Sequence, residues 1–265
     1  MADHDDRLRR RWSFDADADT YHAVRPGYPP ALFGRLTETC GLGPRRRVLE
    51  IGPGTGQATG ELLDAGAEVV AVELGANLAE RLRERFTGRP LTVIEADFEE
   101  LSPADEEFDL AVAATSLHWL DLDVALPKIA RTLRGGAWMA AWWTVFRDAD
   151  PERETPFRHA LEGLFQRHSL GRGGGGKPGA LDHEAWVKEF ARSFDEIRVE
   201  DIRWSMRLGS KRLTGLFATF TEISDLPLNR RVALLKDIET LVDEGFGGDV
   251  VENYVTVLYL ARTSS

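Results

Sequence analysis

The sequence has a single cysteine, Cys40, among its 265 residues. One thiol cannot form an intrachain disulfide, and it cannot by itself provide a cysteine-based metal site. Leu32, Phe33 and Leu36 precede it at helical spacing, which predicts a packed thiol on the buried face of a helix. The 6 histidines are scattered, and no pair of them accompanies a carboxylate in a metal-binding pattern. The sequence therefore predicts no metal site.

Long apolar runs and an excess of basic charge are also lacking. No apolar run approaches the roughly 20 residues that a membrane-spanning helix needs, and residues 1–6 are polar and acidic, unlike a secretory signal. The chain has 33 Lys and Arg against 44 Asp and Glu, a net charge of −11. Because nucleic-acid affinity comes largely from neutralising phosphates, this balance argues against a nucleic-acid partner and equally against an anionic membrane surface. We expect a cytoplasmic protein, a monomer or a homodimer.

The first half of the chain alternates short apolar runs with amphipathic helical patterns. A helix over Asp121–Leu133 is expected to stop at Gly135 and Gly136. Strands that are apolar throughout and separated by helices are typical of a parallel sheet covered on both faces. The five predicted strands are Val48–Ile51, Glu68–Glu73, Leu91–Ala96, Phe108–Ala114 and Ala137–Trp143.

The pattern becomes less regular after Trp143. Thr155 and Pro156 are typical of an N-cap followed by a first-turn proline. The glycine-rich stretch Gly171–Gly179 predicts a flexible surface loop, for which a mobile lid is a hypothesis. A helix is then predicted over Glu184–Phe194 and a strand over Ile197–Met206. Two helical patterns lie within Ser210–Glu244, and the last strand is Tyr254–Leu260. We expect one domain over residues 1–265, with cap elements at about 1–40, 150–182 and 209–248.

A glycine-rich turn follows the first predicted strand. Gly52, Gly54 and Gly56 allow unusual backbone dihedrals and a close approach to a ligand. The turn lies at the carboxyl end of a strand, where open α/β sheets bind ligands, and it precedes a helix N-terminus. A dinucleotide fingerprint would need a third glycine at the position of Gln57. The spacing here is Gly-x-Gly-x-Gly instead, with Glu50 before it inside the strand.

Acidic residues stand at the ends of the next two strands. Glu73 ends the second strand, and a carboxylate there can accept hydrogen bonds from both hydroxyls of a ribose. Asp97 and Phe98 follow the third strand and offer an acceptor for an adenine amino group with an apolar neighbour. Each of these residues taken singly fits a solvated strand end. The three strand ends in this order favour a nucleoside-containing ligand.

This order of strand ends closely resembles that of class I S-adenosylmethionine (SAM)-dependent methyltransferases. The N-terminal segment Phe14–Pro29 resembles that of a subgroup of small-molecule methyltransferases similar to trans-aconitate methyltransferase. Ser116–Trp119 and Tyr254–Thr256 also fit the family. The resemblance covers most of the chain and is weaker between about residues 150 and 226, the region expected to cap the site and select the substrate.

The resemblance implies an α/β fold: a Rossmann-like αβα sandwich with a mostly parallel seven-stranded sheet, an antiparallel last strand and helical cap insertions. The glycines would contact the methionine part of SAM, Glu73 the ribose, and Asp97 with Phe98 the adenine. Tyr21 and Arg25 would close over the cofactor, with Arg25 a candidate partner for its carboxylate; the alternative is a structural N-terminal helix packed on the sheet. The expected cofactor contacts are Tyr21, Arg25, Glu50, Gly52, Gly54, Gly56, Gln57, Glu73, Leu74, Asp97, Phe98 and Thr115.

Methyl transfer from a sulfonium depends mainly on orientation and a dry site. A neutral nucleophile also needs a base, and His118, after the fourth strand, is our candidate. The alternative is a histidine that positions substrate or bonds within its loop. Trp119, Phe217 and Phe220 are candidate substrate contacts.

The sequence therefore predicts an enzyme that methylates an oxygen, nitrogen or carbon atom of a small molecule, with S-adenosylhomocysteine as product. Two alternatives stay open: a cyclase or lyase that binds SAM on the same fold, and a non-catalytic SAM-binding protein.

Overall fold

A mixed β-sheet organises the protein. The computed structural model describes residues 25–147, 150–170 and 179–264, and within them the sheet has seven strands in the order β3-β2-β1-β4-β5-β7-β6. Strands β1 to β5 pair in parallel, and β7 runs antiparallel to both β5 and β6. This arrangement confirms the expected fold class. The strands are β1 Arg47–Ile51, β2 Glu68–Glu73, β3 Leu91–Glu95, β4 Phe108–Ala114, β5 Leu133–Val145, β6 Glu196–Gly209 and β7 Asp249–Arg262.

Helices cover both faces of the sheet. Three pack on one face and two on the other, which is why the central strands are apolar on both sides. The helices are α1 Pro30–Cys40, α2 Gln57–Asp64, α3 Ala76–Arg85, α4 Leu122–Thr132, α5 Pro156–Arg167, α6 His183–Phe190, α7 Ser210–Ala218, α8 Thr221–Ser224 and α9 Leu228–Gly245. The first face carries α1, α2 and α3, and the opposite face carries α4 and α6.

Two helix starts follow directly from local chemistry. The Thr155 side chain accepts a hydrogen bond from the backbone N–H of Arg158 at 3.2 Å, and Pro156 occupies the first turn of α5, as predicted. The Asp121 side chain caps α4 by accepting from the N–H of Asp123 at 3.0 Å. Short polar side chains at these positions bond N–H groups that would otherwise have no partner at a helix start.

The glycine pair before the fifth strand has a different role from the one expected. Helix α4 ends at Thr132, and β5 begins at Leu133, so Gly135 and Gly136 lie inside the strand. Gly136 has φ +73°, and its N–H donates to the carbonyl oxygen of Ser264 at 2.7 Å. The prediction that the pair stops the helix is wrong, because the pairing register with β4 shifts here and the glycines form an irregular start of the strand.

A third hydrophobic cluster, which we call the cap core, lies beyond the sandwich. It joins α5, α7 and α9 to the outer ends of β6 and β7. Inside it, Arg158 of α5 pairs with the fully buried Glu252 of β7, which links the cap to the sheet. Helices α5, α7 and α9 of the cap core fall within the expected cap segments 150–182 and 209–248, and α1, in the segment 1–40, packs on the sheet face; the cap boundaries stay predictions. The single-domain interpretation of residues 1–265 stays a prediction.

Other sequence expectations have clear outcomes. Cys40 is buried on α1 and has no disulfide partner, and burial raises the pKa of its thiol to about 12, which confirms the packed thiol. In the parts of the chain that the structure describes, no helix is both long and apolar enough to cross a membrane. Most of the Gly171–Gly179 loop, residues 171–178, lies outside the described residues.

Candidate active site

A cavity of about 420 Å³ opens at the carboxyl ends of the central strands. This volume is within the range typical of small-molecule sites, which is roughly 300–1,000 Å³. Its position coincides with the point between β1 and β4 where the strand order reverses, the usual ligand site of open α/β sheets. One side is formed by the turns after β1 to β4, and the other by the end of β5 and the cap.

The glycine turn after β1 forms the base of the cavity. Gly52 has to be small, because a Cβ there would lie 2.8 Å from Cβ of Ser116. Gly54 has φ +58° and lines the cavity, with no protein atom within 4 Å of a Cβ at that position. The backbone at Gly54 is thus open to a ligand. Pro53, Thr55 and Gln57 also line this part of the cavity.

The third glycine of the turn does not line the cavity. A Cβ on Gly56 would lie 2.7 Å from the Phe86 ring and 2.8 Å from a methyl group of Leu82, both on or next to α3. Gly56 also has φ +82°, in the left-handed region that disfavours side chains. Gly56 packs closely between the start of α2 and α3, and the contact with the cofactor expected there stays a prediction.

Glu73 connects the glycine turn to the next strand end. Its Oε2 accepts from the N–H of Gly54 at 3.0 Å, and its Oε1 accepts from the N–H of Gly75 at 2.9 Å. The side chain lines the cavity and is 7% exposed. Each carboxylate oxygen can accept more than one hydrogen bond, so both retain capacity for ligand hydroxyls. Leu74, the next residue, lines the cavity beside it.

Glu50 lies beneath the turn and does not line the cavity. The Thr59 hydroxyl donates to Oε2 of Glu50 at 2.7 Å, whereas Oε1 is buried with no hydrogen-bond partner among the described residues. Burial raises the pKa of Glu50 to about 7. The hydrogen bond from Thr59 lowers this pKa, and the charge of Glu73 raises it. Glu50 therefore supports the turn from below.

The two residues after β3 that were expected to contact the adenine, Asp97 and Phe98, differ in their position relative to the cavity. Phe98 lines the cavity and is otherwise enclosed, as an adenine neighbour requires. Asp97 does not line it, and its Oδ1 accepts from the N–H of Glu99 at 2.9 Å. The Asp97 carboxylate thus caps the turn after β3.

Thr115, after β4, lines the cavity with an unusual backbone. Its φ is +59°, which a β-branched residue rarely adopts, and its N–H donates to the carbonyl oxygen of Trp142 at 2.8 Å. The Thr115 hydroxyl lies 3.2 Å from that of Tyr28, another cavity residue that was not among the sequence candidates. Sequence patterns carry no sign of such strain, although Tyr28 belongs to the N-terminal segment that carried the family resemblance.

His118 and Trp119 follow in a short 3₁₀ turn, Leu117–Trp119, and both line the cavity. The indole N–H of Trp143, on β5, donates to Nδ1 of His118 at 2.9 Å. The rings of His118 and Trp119 lie 4.5 Å apart. Burial lowers the pKa of His118 to about 4, although part of its side chain is exposed to the cavity, where water weakens this effect.

The cap closes the opposite side of the cavity. Arg25 donates from Nε to the Thr219 hydroxyl at 3.2 Å, and its guanidinium lies 4.9 Å from the ring centre of Phe146 and 5.5 Å from that of Phe220. Phe217 does not face the cavity: it is 2% exposed and packs in the cap core. Helix α7 ends between these two phenylalanines, which separates their directions.

Several cavity residues were not found from sequence. Thr144 and Phe146 lie at the carboxyl end of β5, so the rule that ligands bind at strand ends could have indicated them. Thr219 and Glu222 have no such signal, because only the packing of the cap brings them here. Tyr21 lies outside the described residues.

The fold and this site together define a class I SAM-dependent methyltransferase. A family model described as a methyltransferase domain matches residues 49–141, which run from β1 through the glycine turn into β5. An uncharacterised methyltransferase of Mycobacterium tuberculosis is 32% identical over 174 residues, 60% of this chain and 69% of its own length. The chain belongs to the class I SAM-dependent methyltransferase family, and the expected enzyme class is confirmed.

Solved structures agree with the fold. A candidate type II methyltransferase from Anaeromyxobacter dehalogenans has a TM-score of 0.65 and 25% identity, over 91% of this chain and 99% of that one. The phosphoethanolamine N-methyltransferase 2 of Haemonchus contortus, in complex with phosphomonomethylethanolamine and S-adenosylhomocysteine, has a TM-score of 0.59. It is 16% identical, over 98% of this chain and 60% of that one, and supports the fold alone. The likeness to the trans-aconitate subgroup stays a prediction.

Proposed function

We propose that this protein transfers the methyl group of SAM to an oxygen, nitrogen or carbon atom of a small molecule held in the cavity. The observation that carries the proposal is the joint lining of one cavity by two sets of residues. The glycine turn and Glu73 line one side, and the cap residues Phe220 and Glu222 line the other. A cofactor and a compact second molecule can therefore meet inside it.

The cofactor side fits SAM in shape and in chemistry. Gly54 leaves space for a ligand against the backbone, and Glu73 offers two acceptor oxygens for a ribose. Phe98 supplies an apolar surface for an adenine ring. Glu50 supports the glycine turn from beneath, where its carboxyl group accepts a hydrogen bond from Thr59. The cofactor contacts we retain are Gly52, Gly54, Gln57, Glu73, Leu74, Phe98 and Thr115.

The substrate side has aromatic walls and a few polar groups. Trp119, Phe146 and Phe220 provide apolar surface, and His118 and Arg25 provide polar contacts. A mostly apolar pocket with few fixed polar groups is typical of a small-molecule site. Arg25 contacts the cap through Thr219 and the two phenylalanines, so we place it on the substrate side, away from the cofactor carboxylate for which it was a candidate.

When bound, SAM supplies an electrophilic methyl group and its own leaving group. The work of this chain is then to orient the acceptor atom and to exclude water. The cap core, with the buried Arg158–Glu252 pair, holds α5 and α7 over the sheet so that the cavity is closed from that side.

Two measurements test the proposal. Calorimetric titration with S-adenosylhomocysteine is expected to show saturable binding to the purified protein; absence of binding by folded protein would remove the cofactor assignment. With SAM and a panel of small molecules, we expect S-adenosylhomocysteine to form in equal amount to a product heavier by one methyl group. Conversion of a substrate without loss of the SAM methyl group would instead support a cyclase or lyase, and binding without any turnover a non-catalytic protein.

A further inference from the structure

Trp143 holds its indole ring in a fixed position behind His118. Its ring lies 4.5 Å from that of Trp186 and 5.9 Å from that of Tyr259, and the side chain is 7% exposed. From this position the indole N–H reaches Nδ1 of His118 at 2.9 Å, within the normal range for a hydrogen bond. The contact joins β5 to the turn after β4 across the wall of the cavity.

The chemistry of the two rings decides which atom of His118 carries the proton. An indole N–H can only donate, so Nδ1 of His118 has to accept. A neutral imidazole has one donor and one acceptor nitrogen, and the proton therefore resides on Nε2. Full protonation would set an N–H on Nδ1 against the N–H of Trp143 and break the bond.

We propose that Trp143 is a positioning residue that fixes His118 as a neutral ring with its proton on Nε2. His118 then donates a hydrogen bond to the substrate, which is the positioning alternative left open by the sequence, and does not act as the general base for which it was a candidate. Within the described residues Nε2 has no hydrogen-bond partner, so this donor is available to a ligand. This use of the donor rests on the proposed function, whereas the tautomer itself does not.

The assignment also narrows the substrate class. A group placed against His118 has to be a hydrogen-bond acceptor, such as a carbonyl oxygen or an anionic oxygen. A nucleophile that must lose a proton during methyl transfer would need a base other than this ring. Substrates that carry an oxygen acceptor are therefore favoured over those that present only donors.

The ionisation of His118 supports the proposal. Burial lowers the pKa of the ring to about 4, and the neutral ring that burial favours is the form that can accept from Trp143. Seven other charged groups line the cavity or the recess on its far side and share the electrostatic environment of the ring: Arg25, Glu73, Glu222, Asp121, Asp123, Glu189 and Arg192.

Nitrogen-15 NMR of the imidazole rings tests the tautomer directly, without cofactor or substrate. The His118 signals are assigned as those lost in His118→Gln. We expect an unprotonated Nδ1 and a protonated Nε2 at pH 7, and a titration midpoint well below about 6.5, the ordinary pKa of an imidazole. A proton on Nδ1 of His118 would overturn the proposal.

Two variants separate the bond from simple packing. Trp143→Phe removes the indole N–H, and we expect the His118 midpoint to rise by about one pKa unit, since one hydrogen bond to the neutral form is lost. Trp186→Phe is the matched control: it removes an indole that stacks on Trp143 but donates to the carbonyl oxygen of Gly179, so the midpoint should not move. An unchanged midpoint in Trp143→Phe, or equal shifts in both variants, would refute the role of Trp143.

If Trp143→Phe does not fold, the wild-type tautomer still tests the proposal, because a proton on Nδ1 of His118 would overturn it. Failure of methyl transfer in every substrate panel would overturn the proposed function and leave the NMR result intact. The two hypotheses can therefore fail independently.

Discussion

Alanine at the second and third glycines of the turn should separate cofactor binding from stability. Gly54→Ala and Gly56→Ala each place a Cβ on a residue with positive φ, +58° and +82°, which costs about 1–2 kcal/mol. At Gly54 the new methyl group meets no protein atom within 4 Å and enters the cavity instead. At Gly56 it overlaps the Phe86 ring and Leu82 at 2.7 and 2.8 Å.

The magnitudes follow from these two environments. Gly54→Ala should lower the free energy of unfolding by about 1–2 kcal/mol, the conformational cost alone. Gly56→Ala adds the cost of overpacking, about 1–3 kcal/mol, for a total loss of about 2–5 kcal/mol. The affinity for S-adenosylhomocysteine should show the reverse order, because the extra methyl group at Gly54 occupies ligand space and that at Gly56 does not.

Urea denaturation and calorimetric titration on the same preparations measure both quantities. We expect Gly54→Ala to lose only the conformational cost of about 1–2 kcal/mol in stability and to bind S-adenosylhomocysteine at least tenfold more weakly, the equivalent of about 1.4 kcal/mol. Gly56→Ala should be clearly less stable and, where folded, should bind with little change. Normal binding by Gly54→Ala, or lost binding with normal stability in Gly56→Ala, would refute this division of roles.

Three further predictions concern single side chains. Glu73→Gln should weaken S-adenosylhomocysteine binding about 10- to 150-fold in calorimetry, because one charge-assisted hydrogen bond is lost. Glu95→Gln, at the exposed end of the next strand, is the control and should bind normally. Equal effects of the two variants would contradict the ribose role of Glu73. Phe217→Ala should lower the unfolding free energy by about 3–5 kcal/mol, and Phe220→Ala should mainly reduce turnover; a stable Phe217→Ala would show that the cap core is misassigned. Because Glu50 has a folded-state pKa of about 7 against 4.5 unfolded, the folded protein binds more protons between these values, so unfolding free energy should fall as pH rises from about 4.5 to 7. Glu50→Gln should remove up to about 3 kcal/mol of that decline in urea melts at several pH values, and an unaltered pH profile would refute it.

Local sequence determined the strands, the start of α5 and the position of the glycine turn. Continuous apolar runs predicted buried parallel strands, and Thr155 with Pro156 marked the start of α5, because capping and periodicity depend on neighbours within a few positions. The spacing of Gly52 and Gly54 and the acid at Glu73 were sufficient to locate the site, since all three lie at the carboxyl ends of adjacent strands. The family resemblance rests on these same short-range features.

Tertiary structure decided which of the candidate side chains face the cavity. Gly56, Asp97 and Phe217 have suitable residue types, but Gly56 packs against α3, Asp97 lies outside the cavity lining and Phe217 packs in the cap core. The proton position on His118 depends on Trp143, which lies 25 residues further along the chain. Such assignments could not follow from local patterns, because the direction of a side chain and its bonding partner are set by packing between elements far apart in sequence.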